Sequence, residues 1–389
     1  MYNIPITRPF LNGSEFSRIK KVLESGWVTQ GPVVEEFEQT FANYTGSDHA
    51  VAVTSCTTGL HLALLSLNIG PGDEVVVPSF TFIATANAVE CTGAKTVLCD
   101  IDLTTLNIDI LQIEKVITDN TKALIPVHLF GLSADMEPIM TIAEKYDLFV
   151  IEDAACGFGA YYKHKHVGNF GNTGCFSFHP RKAITTGEGG MITTNNEELY
   201  YKMKAMREHG ATVSDIQRHS GNKPYLLPDY PYAGFNYRMT DIQAAIGLAQ
   251  MDIVEDIQKR RFELADKYDS FIKAIPWLTR PFRNNDFIHG FQSYVCLFQP
   301  QEISKDNVPE ISTMRNDFME YLQQNGISTR VGTHAVHILD YYAKKYNHNP
   351  GDYVNSWIAD RCTIAFPLFT SLTDKEFNYI TKIISKYKI

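Results

Sequence analysis

Residues 150–194 read VIEDAACGFGAYYKHKHVGNFGNTGCFSFHPRKAITTGEGGMITT. The stretch opens on an apolar run, 148–153 (LFVIED), of the kind that both faces of a sheet bury, and that run ends in Asp153. A lysine, Lys182, follows 29 residues later among small residues, and Gly187-Glu188-Gly189-Gly190 comes just after it. Glycines in such a cluster permit tight turns and close backbone approach. In an open α/β sheet, an acidic residue at the carboxyl end of a parallel strand points into the crevice where such sheets bind ligands.

Working outward, short β-branched runs alternate with helical patterns from Gly46 to about Thr194: AVAVTS (50–55) then TTGLHLALLSL (57–67), EVVVPS (74–79) then TFIATANAVE (81–90), KALIPVHL (122–129) then MEPIMTIAEKYD (136–147). This rhythm predicts an α/β domain with a mostly parallel central sheet flanked by helices. Residues 14–25 and 33–44 have helical spacing and precede the sheet, with Ser14, Ser17 and Asp48 as candidate caps. Residues 240–272 read as one long helix leaving the domain, and 293–300, 313–326 and 371–388 read as strand, helix and final amphipathic helix. The expected division is a large domain over 1–255 and a small C-terminal α+β domain over 256–389. The polar, Pro- and Tyr-rich segment between Thr212 and Tyr232 reads as a long loop.

A net charge of −9 argues against nucleic acid or an anionic membrane surface as a partner, because either favours a basic face. No apolar stretch approaches the roughly 20 residues needed to cross a bilayer, and the N-terminal MYNIPITRPF does not read as a leader, so the expectation is a cytoplasmic protein. The seven cysteines are scattered singly, with no spacing that seeds a zinc or redox site, and no metal is assigned.

Pyridoxal 5′-phosphate (PLP) needs a lysine amine for its aldehyde and a carboxylate for its pyridine nitrogen, so that the ring stays protonated and can absorb electrons. Lys182 and Asp153 are candidates for those roles, and the Ser177 hydroxyl could face a phosphate. Taken singly, a loop lysine is usually a solvated charge and a strand-end Asp a turn residue.

With its surroundings the pattern is specific: the segment resembles the active-site region of the DegT/StrS-type sugar aminotransferases, a branch of fold-type-I PLP enzymes. GWVTQGPVVEEFEQTFANYTG (26–46), SCTTGLHLALLSLNIGPGDEVVVPSFTFIATANAV (55–89) and GFNYRMTDIQAAIGLAQM (234–251) resemble further family motifs in the same order. The resemblance implies Lys182 as the Schiff-base lysine, Asp153 as partner of the ring nitrogen, and Thr57, Thr58 and Ser177 on the phosphate. Thr57 and Thr58 open a predicted helix, whose N-terminus suits an anion equally well as a plain cap.

Phe82 matches the position that stacks on the cofactor ring, the alternative being a core Phe. Asn236 matches a residue that reaches the PLP phosphate of a neighbouring subunit, which implies a homodimer with shared sites. Where the family carries Gln or His near the ring, this chain has Cys156, a weak donor. Cys56 replaces a usual glycine, and Thr333 stands where many relatives carry Tyr.

His164 and His166 fall in a stretch that reads as an exposed hairpin. His334 and His337 have helical spacing, and the resemblance places His337 near the sugar, although such a pair also suits a cap or a surface. Arg218, His219 and Lys223 could meet a nucleotide diphosphate or be solvated loop charge.

The expected activity is amino transfer from L-glutamate to a nucleotide-linked keto-sugar, a 4-keto-6-deoxy hexose in many relatives, through pyridoxamine 5′-phosphate. Two rivals stand beside it: a sugar dehydratase of the same fold, in which relatives replace the lysine with histidine, and a non-catalytic PLP- or sugar-nucleotide-binding homologue.

Overall fold

The computed structural model describes residues 2–213, 225 and 227–389; Arg218, His219 and Lys223 lie outside them. Seven strands make the central sheet: β1 (His49–Val53), β2 (Glu74–Pro78), β3 (Lys95–Cys99), β4 (Thr121–Leu124), β5 (Phe149–Asp153), β6 (Thr173–Ser177) and β7 (Gly190–Thr194). Their spatial order is β1-β7-β6-β5-β4-β2-β3. All pairings are parallel except those of β7, which runs against both of its neighbours.

Helices cover both faces, and the alternation of side chains along β1 sorts the core accordingly. Val51 and Val53 pack with Leu60, Leu64 and Ile192 under the helix Cys56–Ser66. Ala50 and Ala52 face the opposite cluster of Phe37, Phe41, Phe176 and Leu248, supplied in part by the helices Pro32–Thr45 and Asp241–Met251. Phe41 is fully buried against Phe158, Phe176 and Phe178, and truncating such a ring to alanine typically costs about 3–5 kcal/mol.

A second, three-stranded antiparallel sheet, β8 (Leu278–Thr279), β9 (Tyr294–Phe298) and β10 (Thr363–Phe366), lies near the C-terminus with the helices Val308–Gln324 and Asp374–Ile384. Its core centres on Tyr268, Tyr294, Phe318 and Phe366.

Four details differ from the sequence reading. Residues 240–272 form two helices, Asp241–Met251 and Val254–Ile272, separated where Ile253 leaves helical geometry and its N–H bonds the Gln250 carbonyl at 3.3 Å. A division at residue 255 therefore falls in the first turn of the second helix, whose Val254 and Ile257 pack into the large core while Leu264, Tyr268 and Ile272 pack into the small one. The start of the chain also joins the small core: Ile4 is buried there, its N–H on the Gly326 carbonyl at 2.8 Å. Of the two histidines in the hairpin Tyr161–His166, only His164 is exposed, since His166 turns inward and accepts the Gly159 N–H at 3.1 Å. Burial pulls the His166 imidazole down to about 4, which keeps it neutral as that contact requires.

Candidate active site

The carboxyl ends of β1, β2, β5 and β6 and the start of the reversed β7 meet at one edge of the sheet. Register places Asp153 beside Cys175, Ser177 beside Gly190, and Gly190 beside Val53. Residues more than a hundred positions apart thus share one crevice, as the order of an open α/β sheet dictates.

Asp153 is 5 % exposed. Its Oδ2 accepts the Thr85 hydroxyl at 2.7 Å and its Oδ1 the Ala155 N–H at 3.1 Å. A carboxylate offers about four acceptor directions, so lone pairs remain for a further donor.

The strand end beneath it is fixed from the other face by Glu152. That carboxylate accepts the N–H groups of Gly168, Phe170 and Gly171 at 2.7, 2.6 and 2.8 Å and meets His128 Nε2 at 2.9 Å. Because His128 Nδ1 accepts the Ala134 N–H, its Nε2 carries the proton and donates to Glu152. Burial alone would raise the carboxyl of Glu152, but the His128 contact and the loop N–H groups outweigh it and hold it ionised below the usual range.

Lys182 sits in the loop between β6 and β7, half-buried, its Nζ donating to Cys156 Sγ at 3.2 Å. Backbone bonds pin the loop at both sides: Phe178 N–H to the Gly189 carbonyl at 2.9 Å and Lys182 N–H to the His179 carbonyl at 2.8 Å. Burial works against the charged amine, yet the sulfur of Cys156 and, more distantly, Cys56 and Asp153 offset it, so the ammonium is held above the ordinary lysine value.

The helix Cys56–Ser66 begins with a capping box in which Ser55 Oγ accepts the Thr58 N–H at 3.2 Å and Thr58 Oγ1 accepts the Ser55 N–H at 3.1 Å. The Thr58 hydroxyl is therefore engaged in the cap, whereas Thr57 is exposed at the same helix end and its hydroxyl is the more available of the two. Ser177 Oγ lies at the end of β6, accepting the His179 N–H at 3.4 Å.

Gly190 lets these parts close up: a Cβ there would stand 2.5 Å from Ser55 C and 2.6 Å from Cys56 N. Gly190→Ala is therefore expected to destabilise the protein by about 1–3 kcal/mol and to weaken cofactor binding, because backbone rather than a flexible side chain must move. Urea melts and cofactor titration check this; wild-type values for both would show that the helix start yields freely.

Phe82 is 62 % exposed, so it is not a core residue and presents its ring at the edge. Asn236 is exposed, next to Tyr237, whose carbonyl accepts the Thr54 N–H at 3.0 Å. His337 is 0 % exposed, with Nδ1 at 2.7 Å from Ser79 Oγ and Nε2 at 3.3 Å from the Pro350 carbonyl, so both ring nitrogens have partners within the protein.

The spacing with His334 is not helical. His334 and Ala335 form a short strand paired with Thr81 and Phe80, which sets the exposed His334 opposite Thr81, the residue before Phe82. Sequence reasoning missed this placement, along with Ser55 and Thr85, whereas the close approach at Gly190 is of the kind its glycine cluster predicts. Ser55 carried a signal, as a serine just before a helical run; Thr85, inside an apolar helix pattern, carried none.

This donor set fits PLP: an amine, a buried carboxylate with free lone pairs, an exposed aromatic face, and hydroxyls at a helix start where backbone N–H groups favour an anion. Among the described residues no group of three or more His, Cys, Asp or Glu could hold a metal ion.

The DegT/DnrJ/EryC1/StrS aminotransferase family profile matches residues 10–385. The spore coat polysaccharide biosynthesis protein SpsC of Bacillus subtilis is 37 % identical over 381 residues, 98 % of this chain and 96 % of that protein. The putative sugar aminotransferase Spr1654 of Streptococcus pneumoniae, solved in its PMP form, superposes with a TM-score of 0.89 at 28 % identity, covering 98 % of each chain; it is also solved in a PLP form. Helicobacter pylori PseC, an aminotransferase involved in the biosynthesis of pseudoaminic acid, superposes at 0.88 with 27 % identity, covering 99 % of this chain and 98 % of that one. The chain belongs to the DegT/DnrJ/EryC1/StrS aminotransferase family and is a PLP-dependent enzyme with the fold-type-I architecture.

Proposed function

We propose that this aminotransferase moves an amino group from L-glutamate to a nucleotide-linked keto-sugar, a 4-keto-6-deoxy hexose, to make an amino sugar for a surface polysaccharide or glycoconjugate. The carrying observation is the Lys182 amine held beside Cys156 at the crevice into which Asp153 ends its strand. The names of SpsC and PseC support a sugar pathway for this chain.

When bound, PLP supplies an electron sink and a temporary carrier for the amino group. Asp153 would hold the ring nitrogen in its protonated form, as a buried carboxylate already fixed by two donors. Thr57, Thr58 and Ser177 would carry the phosphate with the helix N-terminus. Phe82 would cover the ring, and Cys156 would lie near it. The Lys182 amine would act as general base and then acid, moving one proton between the carbon bearing nitrogen and the cofactor. A cation paired with Asp153 removes one of the charges that hold the proton on Lys182, which favours the free amine needed for that work.

The proposal includes a homodimer with Asn236 reaching the partner's cofactor phosphate. Support comes from the exposed Asn236 and from Tyr225, Leu227, Tyr230 and Tyr232, large apolar side chains left open near it in sequence. It also includes a cytoplasmic setting, supported by seven cysteines that are all free. Among the described residues no helix is long and apolar enough to cross a membrane.

The test is incubation with L-glutamate and a panel of nucleotide keto-sugars, with the new amine located by NMR. A product aminated at the former C4 carbonyl is expected. Conversion of glutamate to 2-oxoglutarate with no nucleotide sugar accepted would keep the aminotransferase and reject the acceptor class.

A further inference from the structure

Thr85 lies in the helix Ala84–Thr92 and is completely buried. Its Oγ1 stands 2.7 Å from Asp153 Oδ2, 3.1 Å from the Phe82 carbonyl and 3.0 Å from Thr81 Oγ1. A hydroxyl has one proton to donate. That proton belongs to Asp153: the contact is the shortest of the three, the acceptor is a carboxylate, and an oxygen aimed at Oδ2 without a proton between them would be repelled. The Thr81 hydroxyl, 1 % exposed, then donates into Thr85.

We infer that Thr85 is the positioning residue of Asp153, the middle of a hydroxyl relay Thr81–Thr85–Asp153 that fixes the carboxylate's rotamer and keeps it a weak base toward the ring nitrogen. The inference rests on Asp153 serving PLP as proposed above. The relay has two structural consequences. It ties the carboxylate to the turn that carries Phe82, so the two groups proposed for the cofactor ring move as one unit. It also reaches the C-terminal segment, since Thr81 is the strand partner of His334.

Donors to a carboxylate stabilise its ionised form. Without Thr85, Asp153 draws the ring proton toward itself, the ring loses positive charge, and the nitrogen joined to Lys182 titrates at higher pH. The experiment compares Thr85→Val, which keeps shape without the hydroxyl, with Thr85→Ser, which keeps the hydroxyl. Readouts are cofactor dissociation from titration of the apoenzyme, the pH midpoint of the holoenzyme's visible absorption, and kcat against KM for glutamate.

Thr85→Val is expected to weaken PLP binding about tenfold, to raise the pH midpoint, and to lower kcat about tenfold with KM changed less than about twofold, the scale of one hydrogen bond to a charged group. Thr85→Ser should restore all three. Wild-type affinity and midpoint in Thr85→Val would overturn the inference, and so would a defect that Thr85→Ser does not rescue. If Thr85→Val does not fold, Thr81→Val decides by the same midpoint: an upward shift supports the relay and no shift overturns it. A wild-type protein that binds no PLP would instead overturn the reading on which the inference rests.

Discussion

Lys182→Ala is expected to slow amino transfer by about ten-thousand-fold or more while the protein still folds and still binds PLP noncovalently. Two roles disappear together: the amine that joins the cofactor's aldehyde, and the base that moves the proton, which alone contributes about a hundred- to ten-thousand-fold. The fold should tolerate the change, because the loop is pinned through Phe178, Gly189 and His179 backbone atoms rather than through the Lys182 side chain. The hydroxyls proposed for the phosphate and Asp153 stay in place, which is why cofactor should remain. Single-turnover kinetics with added small amines give the sharper check, since a primary amine diffusing into the vacated space should restore part of the proton transfer. Full activity in the variant would remove Lys182 from the mechanism.

Asp153→Asn is expected to lower kcat/KM by roughly a thousand-fold, the upper range for losing one preorganised electrostatic partner in an enclosed site. The substitution keeps shape but leaves a single acceptor oxygen where the carboxylate had two. Thr85 and the Ala155 N–H, which now take one oxygen each, would compete for it, and the new amide N–H groups would face the ring nitrogen donor to donor. The ring nitrogen would then lose its proton and with it most of the electron sink. Steady-state kinetics and the absorption spectrum of the variant report this directly, and a loss below about tenfold would mean that the ring nitrogen finds its charge partner elsewhere.

Much of this site is legible in the amino-acid sequence because its signals are local. Asp153 closes an apolar run, Lys182 and the glycines follow within one connection, and Thr57 and Thr58 open a helix directly after a strand, so short segments carry their own meaning. What stays hidden depends on contacts between distant positions. Thr85 meets Asp153 across 68 residues, inside a helix whose pattern reads only as apolar. His337 meets Ser79 across 258 residues, an interior contact that the local sequence around it does not announce.

The same holds for the fold. Strand and helix periodicity predicts the α/β architecture, but not that Ile4 at one end of the chain completes the core of the other. Nor does the pattern over 240–272 reveal the break at Ile253, because apolar spacing continues across it in both helices.

The central claim, that Lys182 is the residue which bonds the cofactor opposite Asp153, is tested most directly by treating the purified holoenzyme with borohydride and mapping its peptides by mass spectrometry. Reduction fixes the cofactor to whichever amine holds it. A pyridoxyl group on Lys182, lost in Lys182→Ala, is the predicted result; the same group on another lysine, or on none, would contradict the account.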